Sequence, residues 1–152
     1  KKPLHMAAVA FDPKLVSGGE LSGGERLTRA LLELVETSLD TGQQAACDPQ
    51  GRVLLLLAGD DQSSASRRCE RIRQQVAATI FQCDGSEIQA TVSCGLSDSG
   101  RASDRAKLLE FLNDSIDEAR RLGANRTFHH DGKFPAPIVP QSIEVAPRTV
   151  EV

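Results

Sequence analysis

The chain has 152 residues, enough for one domain with a real core, and its formal net charge of −3 argues against a general nucleic-acid binder. Trp and Tyr are absent and Phe occurs five times, too little aromatic surface for a base-stacking platform. Cysteines at 47, 69, 83 and 94 form no Cys-x-x-Cys pair, so they read as small apolar residues of a reducing compartment rather than a disulfide frame or a zinc site.

Leu4 to Phe11 is an apolar run and an expected strand; Asp12-Pro13 and Gly18-Gly19 mark turns. A helix is expected from about Gly23 to about Leu39, with Leu27, Ala30, Leu31, Leu34, Val35 and Ser38 on one face. Gln44 to Cys47 reads as a short strand, Asp48-Pro49-Gln50-Gly51 as a type I turn, and Val53 to Ala58 as a central strand covered on both faces. After a loop over 59–64, a second helix carries Cys69, Ile72, Val76 and Ile80 inward. Its arginines 67, 68, 71 and 73 read as a solvated face, and Asp60-Asp61 as its cap. Asp84-Gly85 is a turn, Glu87 to Cys94 alternates as a strand, and 95–103 reads as a loop. The third helix runs from Asp104 to Leu122, with Leu108, Leu109, Leu112, Ile116 and Ala119 inward and Gly123 as its stop. Asn125 to His130 is the last strand. His129-His130-Asp131 reads as a solvated strand end, because neighbours in a strand point to opposite faces and two adjacent histidines cannot serve one metal.

The tail from Lys133 holds Pro135, Pro137, Pro140 and Pro147, which make it a poor sheet member. The expected division is therefore a domain over 1–132 and a Pro-rich tail or linker over 133–152. The sequence lacks an initiator Met and starts inside an expected strand, which reads as a domain cut from a longer protein. No run is apolar enough for a membrane span and no signal peptide is visible, so a cytoplasmic location is expected.

Leu21-Ser22-Gly23-Gly24-Glu25-Arg26 matches the signature loop of ABC-type ATPases. That reading needs a Gly-x-x-x-x-Gly-Lys-Ser/Thr loop, and the sequence has none. The simpler reading is a capping box, Ser22-x-x-Glu25, at the start of the first helix.

Two further segments carry a resemblance. Thr91-Val92-Ser93-Cys94-Gly95-Leu96 resembles the "TVSxG" strand of GGDEF domains, the diguanylate cyclase family, and Leu112 to Arg126 resembles that family's terminal helix. The element order agrees from Leu4 to about His130. The resemblance implies a palm-like, nucleotidyl-cyclase α/β sandwich, with a mixed central sheet of about five strands flanked by helices. It implies an activity as well: condensation of two GTP into cyclic di-GMP with two Mg²⁺ ions, which require carboxylate ligands.

Carried over residue by residue, the signature hairpin falls on Pro49, Gln50, Gly51, Arg52 and Val53. Its acidic pair becomes Gly51-Arg52, and an Arg there would repel a metal ion. The metal-binding Asp of the first strand becomes Ala7, with Asp12 taking that role if the register slips. The guanine-reading Asn falls near Leu15, and the family's Gly-Asp becomes Gly23-Gly24. The phosphate-contacting Lys becomes Arg120, the Arg of the following turn becomes Ala124, and the product-inhibition "RxxD" is missing from the segment before the hairpin.

The expected role is a degenerate, catalytically inactive GGDEF-like domain serving as a regulatory or protein-interaction module of a bacterial signalling protein. Its partners would be other domains of a longer chain or a separate protein, with a homodimer open because active family members work in pairs. Neither nucleic acid nor direct membrane contact is expected. The alternatives are a nucleotide-sensing domain for GTP or cyclic di-GMP, with Gly51, Arg52 and Arg120 as remnant contacts, and an active cyclase. No cofactor is expected unless the active alternative holds, in which case Mg²⁺ is.

Overall fold

The computed structural model describes residues 3–22 and 24–152. In chain order the elements are β1 (His5–Phe11), α1 (Gly24–Glu36), β2 (Gln44–Cys47), β3 (Val53–Leu57), α2 (Gln62–Ala77), β4 (Thr79–Cys83), β5 (Ser86–Ile88), β6 (Val92–Asp98), α3 (Arg105–Arg121), β7 (Thr127–His130), β8 (Pro135–Pro137) and β9 (Arg148–Glu151). Among the described residues the main sheet has six strands in the order β2-β3-β1-β6-β7-β8, and a smaller sheet has the order β5-β4-β9. The main sheet is mixed: β6 and β7 run parallel, and every other neighbouring pair is antiparallel.

β1 and β6 are buried along their whole length because helices cover both faces of the sheet. Ala7, Val9 and Phe11 enter the larger core with Leu27, Leu31 and Val35 of α1 and Cys69, Ile72 and Val76 of α2. Met6, Ala8 and Ala10 face the other way and pack on Leu108, Leu112 and Ile116 of α3. Phe111 and Ser115 are also buried, whereas Leu109 is only half-buried. α3 lies very close to β6. A Cβ on Gly95 would come within 2.4 Å of the Leu112 carbonyl oxygen and 3.1 Å of the Ser115 Cβ.

Several expectations are corrected. β4 is a strand, although Ile80 continues the 72–76–80 spacing of the helix before it. Ala78 ends α2, and Asp84-Gly85, both at positive φ, turn β4 into β5 as a two-residue hairpin. The alternating run over 87–94 is split, and β6 continues through Gly95 to Asp98, where a loop was expected.

The tail joins both sheets. Asp131 N–H donates to the Phe134 carbonyl and Ile138 N–H to that of Thr127. Pro135 and Pro137 therefore take the alternate positions of an edge strand, where no inward N–H is needed. With β8 alongside, His129 and His130 are buried rather than solvated. They do face opposite sides. His130 stacks on Phe111 with ring centroids 4.0 Å apart. His129 neighbours His5 and Asp98.

The arginines of α2 are likewise not one solvated face. Arg67 and Arg71 are exposed, but Arg68 pairs with Asp60 at 2.9 Å and Asp40 at 3.1 Å, and Arg73 is buried against Glu70 at 2.7 Å. Asp61 caps α2 by accepting from Ser64 N–H. All four cysteines are free and only Cys47 is exposed. Among the described residues, no helix is long and apolar enough to cross a membrane.

Candidate functional site

A cleft of about 960 Å³ opens where the β2–β3 hairpin, the start of α1, α3 and the end of β1 meet. The hairpin between β2 and β3 supplies Cys47 to Arg52. The start of α1 and the residues before it supply Leu21, Ser22, Gly24, Glu25, Thr28 and Arg29. Asn113, Asp117 and Arg120 come from α3, and Ala10 and Phe11 from the end of β1. Gly24 has φ +53°, a left-handed conformation that glycine adopts at no steric cost. Gly23 lies outside the described residues.

The hairpin is closed by its own first residue. The Asp48 Oδ1 accepts from the backbone N–H of Gln50 and of Arg52, both at 2.9 Å, and Gly51 N–H donates to the Asp48 carbonyl at 3.2 Å. Gly51, at φ +82°, completes the turn. The Arg52 guanidinium then folds back: Nε donates to Asp48 Oδ2 at 2.8 Å, and Nη2 lies 2.6 Å from the same oxygen. Both side chains are largely covered, 15% and 9% exposed, so this pair is better shielded than an ordinary surface ion pair.

Beneath the cleft lies a second sealed carboxylate. Asp12 is 2% exposed. Its Oδ2 accepts from Thr91 Oγ1 at 2.5 Å and Asn125 N–H at 3.0 Å, and its Oδ1 accepts from Ser93 Oγ at 2.7 Å. The Arg120 Nε stands 3.7 Å from Oδ1, and Arg120 Nη2 donates to the Phe11 carbonyl at 2.6 Å. Arg120 thus ties the last turn of α3 to the end of β1.

The charges of the cleft mostly cancel. Arg52 is matched by Asp48 and Arg120 by Asp12, and the other charged side chains of the lining are Arg29, Glu25 and Asp117. Among the described residues Arg29 has no ion pair, and no group of three or more His, Cys, Asp or Glu side chains converges to hold a metal ion.

No protein-family model matches the chain, and no curated protein matches it. Solved structures do. The chain is similar to an EAL/GGDEF domain protein from M. capsulatus, at 21% identity, with 85% of each chain covered and a TM-score of 0.68. It is similar to the active GGEEF domain of a diguanylate cyclase from Vibrio cholerae, at 17% identity, over 85% of this chain and 83% of that one, with a TM-score of 0.65. It is also similar to the diguanylate cyclase SiaD from Pseudomonas aeruginosa, solved in complex with its activator SiaC, at 17% identity, over 84% of this chain and 50% of that one, with a TM-score of 0.71.

The chain has the GGDEF-domain fold. Within this GGDEF fold, Pro49, Gln50, Gly51 and Arg52 line the cleft, as does Arg120, while Val53 is the buried first residue of β3. The first-strand carry-overs do not reach the cleft. Ala7 lies inside the larger core, paired with Leu55 and Leu96, and does not reach the cleft. The β1 positions that do are Ala10 and Phe11. Leu15 packs against the core instead of lining the cleft. Asp12 is saturated by hydrogen bonds, so it does not offer the free carboxylate that a slipped register would need. Arg29, Asn113 and Asp117 were not anticipated. Asn113, Asp117 and Arg120 fall at i, i+4 and i+7 on α3, and that spacing was the available signal.

Proposed function

We propose that this GGDEF-fold domain is catalytically inactive and works as a regulatory or protein-interaction module of a cytoplasmic bacterial signalling protein. One observation carries the reading. On the first strand and the hairpin, where two-metal chemistry requires free carboxylates, the cleft offers Ala10 and Arg52, and the hairpin's own acid, Asp48, is spent on Arg52. A guanidinium in that place opposes a divalent cation. The likeness to SiaD, solved with its activator SiaC, favours a protein partner for the fold. The test is to incubate the chain with GTP and Mg²⁺ and separate the nucleotides by chromatography. No cyclic di-GMP is expected, and sustained turnover would overturn the reading.

A second reading, a nucleotide-sensing cleft, is favoured by Arg29, without an ion pair among the described residues, in a lining that also includes Arg52 and Arg120. Calorimetric titration with GTP and with cyclic di-GMP separates the two. Inactivity with binding heat selects the sensing role, and inactivity without heat leaves the protein-interaction role.

A further inference from the structure

Residues 138–152 run as one extended strap over α2 and onto the free side of β4. α2 reads the strap through its backbone. Glu70 Oε1 accepts from Gln141 N–H at 3.0 Å. The Gln74 amide makes a pair of bonds, donating to the Gln141 carbonyl at 2.5 Å and accepting from Ile143 N–H at 3.2 Å. Gln75 Nε2 donates to the Ala146 carbonyl at 2.9 Å. Beyond this ladder β9 pairs in parallel with residues 79–82 of β4, and Val152 N–H donates to the Gln82 carbonyl at 2.8 Å. Main-chain bonds of this kind, with pockets for a few side chains, are how proteins take up an added strand. The side-chain anchors are Ile143, which is buried, and Val150 and Val152, which pack on the larger core.

The strap is lightly held. Ile143 is its only buried residue. The connection leading to it contains Pro135, Pro137 and Pro140, which favour an extended chain over a compact one. Few buried contacts and many exposed backbone bonds mark a segment that opens below the global unfolding energy. None of the groove residues lines the hairpin cleft.

We propose that the groove between α2 and β4 is an exchangeable strand-binding site, filled in cis by residues 138–152 and open in trans to the identical strap of a second copy of this chain. A second copy is the occupant because Glu70, Gln74, Gln75, the β4 edge and the seats of Ile143, Val150 and Val152 are already matched to this sequence. Exchange of an identical element is a low-cost route to a dimer.

The test uses the full chain carrying Ile143→Asp, which removes the strap's anchor and leaves the groove residues untouched. A fluorescent peptide of residues 138–152 should bind this variant about tenfold or more tightly than it binds the unaltered chain. A scrambled peptide, and a peptide with the same Ile143→Asp change, should not bind. Light scattering after size exclusion should show a concentration-dependent dimer for the unaltered chain and a monomer for the variant. Equal peptide affinity for the two chains, binding of the scrambled peptide, or no binding to a folded variant would overturn the proposal. So would failure of the variant to fold, because the strap would then be part of the core. Hydrogen exchange on the unaltered chain gives an independent reading: β9 amides as slow as those of β1 and β6 would also exclude a detachable strap.

Discussion

The Arg52 guanidinium lies against Asp48 across the β2–β3 turn, Nη2 to Oδ2 at 2.6 Å, so the hairpin neutralises its own charge. The two truncations should then differ. Arg52→Ala removes one ion pair and leaves Asp48 its two backbone donors, costing about 1 kcal/mol. Asp48→Ala also takes the acceptor away from the Gln50 and Arg52 N–H groups and should cost about 2 kcal/mol. At about 2–4 °C per kcal/mol for a domain of this size, thermal melts resolve the difference.

Restoring acids should work at Ala10 and fail at Ala7. Ala10→Asp combined with Arg52→Glu places two carboxylates on the cleft wall. Magnesium should then raise the melting temperature, by the equivalent of about 2.7 kcal/mol at a hundredfold excess over the dissociation constant. Ala7→Asp buries an unpaired carboxyl group in the larger core, where Ala7 is 0% exposed. It should destabilise by several kcal/mol and respond to no metal. A magnesium-dependent rise in the Ala7→Asp melt would mean that β1 faces the cleft differently.

Stability should fall on mild acidification. Burial lowers the titration point of His129 below the ordinary 6.5, helped by Arg101 and His5 and opposed by Asp98 and Asp131. Burial does the same to His130, with Asp114, Asp131 and Glu110 opposing and Lys107 adding to it. Both imidazoles are held neutral in the fold, so the unfolded chain binds more protons as the pH drops. Their contribution is complete above about pH 6.5 and is lost as the pH falls toward the folded values, at up to about 1.4 kcal/mol per pH unit for each ring. His129→Gln should flatten the curve of melting temperature against pH. An equally steep curve in that variant would place the titration elsewhere.

Gly95→Ala should be severe. The new methyl group meets a backbone carbonyl of α3 at 2.4 Å, which no rotamer change can relieve. A loss of about 3 kcal/mol is expected from overpacking. Because α3 carries Asn113, Asp117 and Arg120, its displacement should also alter amide signals around the cleft. A neutral melt would show that α3 slides without cost.

How far the sequence led depended on the range of the interactions involved. α1, α3 and the β2–β3 hairpin were legible because their signals are local: an apolar stripe, Gly123 as a helix stop, and Asp-Pro-x-Gly. β4 was hidden because Ile80 kept the helical spacing after the helix had ended. The end of β6 was hidden because Gly95 looked like a breaker, whereas the glycine answers to a helix on the neighbouring layer. The tail was misjudged because proline was weighed without knowing that alternate positions of an edge strand need no donor. The hairpin residues 49–52 and Arg120, named from the resemblance, line the cleft. The choice between Ala7 and Ala10 turns on strand register, which is set by pairing partners forty or more residues away.

Asp12 has a kinetic consequence. It bonds to partners 79, 81 and 113 positions later in the chain. Contacts of that span are slow to form, since a long loop must close before any of them stabilises the fold. During synthesis the end of β1 therefore waits with an unpaired carboxylate until Thr91 and Ser93 have been made, and with an incompletely bonded one until Asn125 has been. The floor of the cleft should be among the last parts of the domain to assemble, and the end of β1 the part most exposed to misassociation while the chain is incomplete.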